Sequence, residues 1–149
     1  MLKYEAIFLD KESIKLIQQL EENKLDRVND EIHLTLKYKP NDDEVFNEIV
    51  GKEFELYLIG YGNNGTNAGF EVELSDELKP YYINYDEDEP SKVKIPHITS
   101  SLALDAKAMN TKNLVFNKLP QKYSIKGKLG FWIEEEDGTE YLSYNKFEQ

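Results

Sequence analysis

The chain has 149 residues, two histidines, no cysteine and a formal net charge of −11. That length suits one domain with a real core, and the missing cysteines exclude disulfides, thiolate catalysis and cysteine-ligated zinc. The acidity works against long nucleic-acid duplexes, whose binding rests on Lys and Arg neutralising phosphates, and with Arg27 as the single arginine there is no arginine clamp for phosphate. No apolar run is long enough for a membrane span, and Met1–Glu5 runs straight into a strand-like stretch rather than a signal-peptide core. A cytoplasmic monomer is expected, with a small nucleotide or an RNA end as its partner, and no membrane or long duplex.

In chain order, Lys3 to Leu9 reads as a strand. Asp10 is placed to cap a helix in which Ile14, Ile17 and Leu20 recur on one face, ending near Lys24. A polar connector, Asp26 to Asp30, leads to a strand over Glu31–Tyr38 that Pro40 ends. Asn41 to Val50 has apolar residues at helical spacing and predicts a short helix. Phe54 to Ile59 and Gly69 to Leu74 predict a hairpin around the Gly- and Asn-rich stretch from Gly60 to Asn67. A weakly patterned region with Asp86-Glu87-Asp88-Glu89 reads as a surface loop. A strand over His97–Leu102 follows, then a short helix over Ala103–Asn110. Ile125 to Glu134 and Thr139 to Tyr144 predict a hairpin turning at Asp137-Gly138. Clustered hairpins with helices between them predict an α+β fold, antiparallel sheet with helices packed outside.

Both histidines stand in the same local pattern, His33-Leu34-Thr35 and His97-Ile98-Thr99. Side chains alternate along a strand. His33, Thr35 and Lys37 therefore share one face, with Ile32, Leu34 and Leu36 on the other; His97, Thr99 and Ser101 share a face opposite Ile98 and Leu102. Two imidazoles that titrate near neutrality can supply one base and one acid. Threonine hydroxyls can hold the non-bridging oxygens of a phosphate between them. With five threonines in the chain, chance puts one at this offset after both histidines on the order of once in a thousand. The residues point to phosphodiester chemistry that needs no metal and no cofactor.

With these motifs the chain resembles the 2H phosphoesterase superfamily, named for two His-x-Thr/Ser motifs. Tyr4–Asp10 with its helix looks like that family's opening strand and helix. His33-Leu34-Thr35-Leu36 and Pro96-His97-Ile98-Thr99 match its two motifs, and Ser124–Trp132 looks like a closing strand, nearer to the domains joined to RNA ligases. The resemblance implies a bilobal fold, two antiparallel sheets facing across a central cleft over the whole of 1–149. It implies hydrolysis of 2′,3′-cyclic phosphates, 2′–5′ linkages or small cyclic (oligo)nucleotides, in RNA end processing or in phage evasion of cyclic-oligonucleotide immunity. By the same resemblance His33 and His97 are acid and base, and Thr35 and Thr99 bind phosphate.

Around these motifs, Lys37 and Ser101 are candidate phosphate contacts, since each lies two positions past its threonine; the ordinary alternative for both is a solvated strand residue. Tyr61 is a candidate for stacking a base, against the plainer role of packing. Asn63-Asn64-Gly65 lacks the strand-to-helix context of a phosphate loop and reads as a turn, and the acidic run lacks calcium-loop spacing. The competing function is a non-catalytic protein that sequesters a nucleotide in the same cleft. Two complete His–Thr pairs argue for turnover, because binding alone does not need two proton carriers.

Overall fold

In a computed structural model, which describes residues 1–82 and 95–148, eight strands join in one antiparallel sheet. They are β1 (Leu2–Leu9), β2 (Arg27–Val28), β3 (His33–Tyr38), β4 (Glu53–Asn63), β5 (Asn67–Leu74), β6 (His97–Leu102), β7 (Asn117–Glu134) and β8 (Glu140–Ser143). The sheet order is β2-β6-β5-β4-β7-β1-β3, with β8 also on β7. One α-helix, α1 (Lys11–Leu20), follows β1. Asp10 caps it, its carboxylate accepting from the Ser13 N–H at 2.8 Å. The helix stops at Leu20, short of Lys24, where Glu21 turns extended. No helix among the described residues is long and apolar enough to cross a membrane.

The expected bilobal α+β arrangement of two sheets is corrected by this structure: the described residues are mostly β and form a single sheet. The strand that joins the halves is β7, which pairs with β4 through Asn117–Lys128 and with β1 through Gly127–Ile133. Its start eight residues before Ile125 was hidden because Asn117–Ser124 carries no clean apolar alternation. The two segments expected as short helices form 3-10 turns instead. Asn41–Val50 breaks into Asp42–Glu44 and Asn47–Ile49 because Val45 between them is extended. The segment after β6 turns at Ala108–Asn113, shifted past the expected Ala103–Asn110. Gly60 and Gly62 belong to β4 rather than to the turn. A Cβ on Gly62 would lie 2.7 Å from the Val115 carbonyl oxygen, so glycine there permits a close backbone approach. The acidic run at Asp86–Glu89 lies outside the described residues.

The sheet has an internal two-fold regularity centred between β4 and β7. In β1–β3 the facing pairs are Phe8–His33, Ile7–Leu34, Ala6–Thr35, Glu5–Lys37 and Tyr4–Tyr38. In β5–β6 they are Glu71–His97, Phe70–Ile98, Gly69–Thr99, Ala68–Ser101 and Asn67–Leu102. Each paired position of the first strand has its counterpart 63 positions later, and each paired position of the second has its counterpart 64 positions later. Both pairs carry one extra residue at the same place, Leu36 in β3 and Ser100 in β6.

This sheet cannot lie flat. β2 and β3 stand at its two ends, yet only residues 29–32 separate them in the chain. Five residue steps reach about 18 Å at most, whereas six strand spacings in a flat sheet would span about 29 Å. The ends curl together, and β3 comes beside β6. Asn29 fastens this closure: its N–H donates to the Ser100 carbonyl and its side-chain amide to the Thr99 carbonyl, both at 2.9 Å. One face of the sheet holds the core, with Ile7, Leu34, Leu56, Phe70, Ile98 and Leu129 packed under Ile17 of α1.

Candidate functional site

The opposite face of β3 and β6 opens into a pocket of about 400 Å³. His33, Thr35, His97 and Thr99 all line it, with Asn29, Tyr38, Tyr82, Met109 and Lys112 among the other wall residues. Leu34 and Ile98 are buried on the core side. The strand alternation of each motif thus delivers one His and one Thr to the same cavity from opposite ends of the sheet order.

The two histidines have different surroundings. The ring of His33 stacks on Tyr4 at 5.0 Å between centroids and lies 5.4 Å from Phe8. Trp132 extends this aromatic wall, stacked 6.1 Å from Tyr4. Burial among these rings disfavours the imidazolium and holds His33 down at about 4, so the ring is neutral at pH 7. His97 sits 6.3 Å from Phe116, and its Nδ1 is 2.7 Å from the Ile95 carbonyl oxygen. A carbonyl can only accept, so Nδ1 carries the hydrogen and Nε2 is the basic nitrogen. Across the ladder His33 faces a phenyl ring, Phe8, while His97 faces a carboxylate residue, Glu71.

The threonines differ too. The Thr99 hydroxyl lies 2.8 Å from the hydroxyl of Thr111, a fully buried residue that also accepts from the Asn67 side-chain amide at 3.1 Å. Asn67 donates in addition to the Lys107 carbonyl at 2.8 Å. Arg27 donates to the carbonyls of Ala103 and Ala106. These bonds clamp the segment from Ala103 to Asn113 against β5 and β6 and make it a wall of the pocket.

No family model matches the chain, and no curated protein is significantly similar to it.

Three candidates stand elsewhere than in the pocket wall. Lys37 is buried, opposite Glu5 on the core side, because the extra residue at Leu36 shifts the alternation by one. The same shift turns Tyr38 into the pocket. Ser101 is fully buried by the matching bulge at Ser100. Its hydroxyl donates to Glu21 Oε2 at 3.1 Å and accepts from the Leu25 N–H at 3.0 Å. Tyr61 packs on Phe70 and donates its hydroxyl to the same Glu21 oxygen at 2.8 Å. Glu21 thereby gathers Tyr61, Ser100 and Ser101, and pins the end of α1 to the bulge of β6.

The sequence reading missed Tyr38, Lys112 and the support given by Thr111 and Asn67. Tyr38 was hidden by a bulge that no local pattern marks. Lys112 sits in a segment without strand or helix periodicity. Thr111 is one of only five threonines, a weak signal by itself. Among the described residues no group of three or more His, Cys, Asp or Glu could hold a metal ion.

Proposed function

We propose that the protein is a phosphodiesterase that hydrolyses 2′,3′-cyclic phosphates or small cyclic (oligo)nucleotides by acid–base catalysis from His33 and His97. The single observation that carries this reading is that two sequence-distant His-x-Thr strands line one pocket with all four polar side chains. It agrees with the resemblance to the 2H phosphoesterases. The pocket volume suits a nucleotide-sized ligand rather than a duplex.

The asymmetry of the two rings supports an assignment of roles. His33, neutral among aromatic rings, is the base: it takes a proton from the attacking water as the new O–P bond forms. His97 is the acid: the P–O bond to the leaving oxygen breaks, and that oxygen takes the proton from Nε2. The Ile95 carbonyl holds the Nδ1–H side of the ring. Thr35 and Thr99 donate to the non-bridging oxygens, where charge builds in the transition state. The chemistry needs no metal, since both proton transfers are covered by side chains.

The test is hydrolysis of 2′,3′-cyclic nucleotides and cyclic dinucleotides with excess chelator. Wild type should turn over, and His33→Ala or His97→Ala should each lose about 10²- to 10⁴-fold in kcat. With a base held at about 4, kcat/KM should stay level on the acid side until pH approaches that value. Activity abolished by chelator would overturn the metal-free mechanism. Undiminished activity in the double variant would overturn the site.

A further inference from the structure

Charge is scarce in this pocket. Among the described residues that line it there is no Asp or Glu, and Lys112 is the one lysine or arginine. Lys112 forms no ion pair with any described residue. It is half-buried, on the 3-10 helix Ala108–Asn113, directly after Thr111. Thr111 is fixed inward by Thr99 and Asn67, so the neighbouring residue is delivered to the cavity by a braced segment and not by a loose loop. This arrangement sits in a protein with a formal charge of −11.

From this charge count we infer that Lys112 is the phosphate-neutralising residue of the pocket, and that its one positive charge matches the site to singly charged phosphodiesters and against doubly charged phosphomonoesters. The inference rests on the phosphodiesterase reading and deepens it. A diester carries one negative charge, and a monoester carries nearly two above its second pKa of about 6. One lysine at contact distance balances the first. Where residue 97 carries no charge, as in His97→Asn protein, the second charge of a monoester would meet no further cation among the described wall residues and would feel the acidic protein around it. The same imbalance expels product once His33 and the new monoester have released their protons to solvent, which leaves one more negative charge than the diester carried. The threonine hydroxyls and the two rings cannot do this, as all are neutral or proton-exchanging groups. Lys112 supplies charge that does not change during the reaction.

The experiment is calorimetric titration at pH 8 with 2′,3′-cyclic AMP, a monoanionic diester, and with 3′-AMP, a dianionic monoester. It uses His97→Asn protein, which blocks turnover, alone and combined with Lys112→Ala or Lys112→Arg. The cyclic diester should bind more tightly than 3′-AMP. Lys112→Ala should weaken the diester about tenfold, and Lys112→Arg should keep most of the affinity. Diester affinity unchanged by Lys112→Ala, or tighter binding of 3′-AMP than of the diester, would overturn the assignment. Protein that binds neither ligand with Lys112 intact would instead defeat the phosphodiesterase reading, and this inference with it.

Discussion

The hydroxyls of Thr99 and Thr111 stand 2.8 Å apart, and the Asn67 amide holds Thr111 from behind. When Thr99 turns its hydrogen to a phosphate oxygen, its own oxygen becomes an acceptor, and Thr111 is placed to donate to it. On the proposed mechanism Thr111 is a positioning residue. Thr111→Val keeps the shape and removes the hydroxyl. It should lower kcat about tenfold with little change in KM, as a lost transition-state contact does. Thr111→Ser should recover most of the rate. Steady-state kinetics on the three proteins measure this, and equal losses in Val and Ser variants would point to packing alone.

Two buried groups tie stability to pH with opposite signs. Glu5 is fully buried, with one oxygen accepting from the Phe46 N–H and the other without a hydrogen bond, and burial raises its pKa to about 7. The folded state keeps this proton, so stability from Glu5 is present at low pH and lost as pH rises from the usual carboxylate range to about 7. His33 is lowered to about 4, so its contribution is present above the ordinary histidine pKa and lost as pH falls from about 6.5 to 4. Between about 4.5 and 6.5 the two slopes oppose, and urea-derived stability should be nearly flat. Glu5→Gln should remove the decline toward pH 8 and make the protein more stable there by about 1–3 kcal/mol. A variant less stable than wild type at pH 8 would contradict the burial argument.

Glu21 accepts three hydroxyl hydrogen bonds on a single oxygen while almost wholly buried. Glu21→Ala leaves Tyr61, Ser100 and Ser101 without their acceptor and should cost about 2–4 kcal/mol in chemical denaturation. The damage should be local to β6, seen as a larger gain in amide exchange at Ile98–Leu102 than in β1. Uniform exchange across both strands would argue that Glu21 does not hold the bulge.

The four polar residues that meet in the pocket were legible in the sequence, while the frame that carries them was only partly so. His33, Thr35, His97 and Thr99 could be read because period-two alternation is local and both motifs are short. The fold went astray at β7, whose first half pairs without an apolar pattern and whose length merges two expected sheets into one. Lys37 and Ser101 were assigned to the pocket by an alternation that a bulge interrupts in both strands. A bulge depends on the partner strand, so it leaves no mark in a single sequence. Tyr61 was read by type alone, and its hydroxyl is occupied by a residue 40 positions away.

The pairing of β1 with β7 sets when, as well as where, the site exists. Tyr4 stands opposite Trp132, so the aromatic wall beside His33 is built from residues 128 positions apart. During synthesis His33 emerges long before its wall does, and β4 likewise waits for β7 to close its open edge. Contacts this distant in sequence are slow to form, on a scale of milliseconds to seconds. A nascent or nicked chain lacking β7 would hold both motifs intact and still lack the pocket's full aromatic wall. The complete pocket thus becomes a late event in the life of the chain, arriving together with the last long strand.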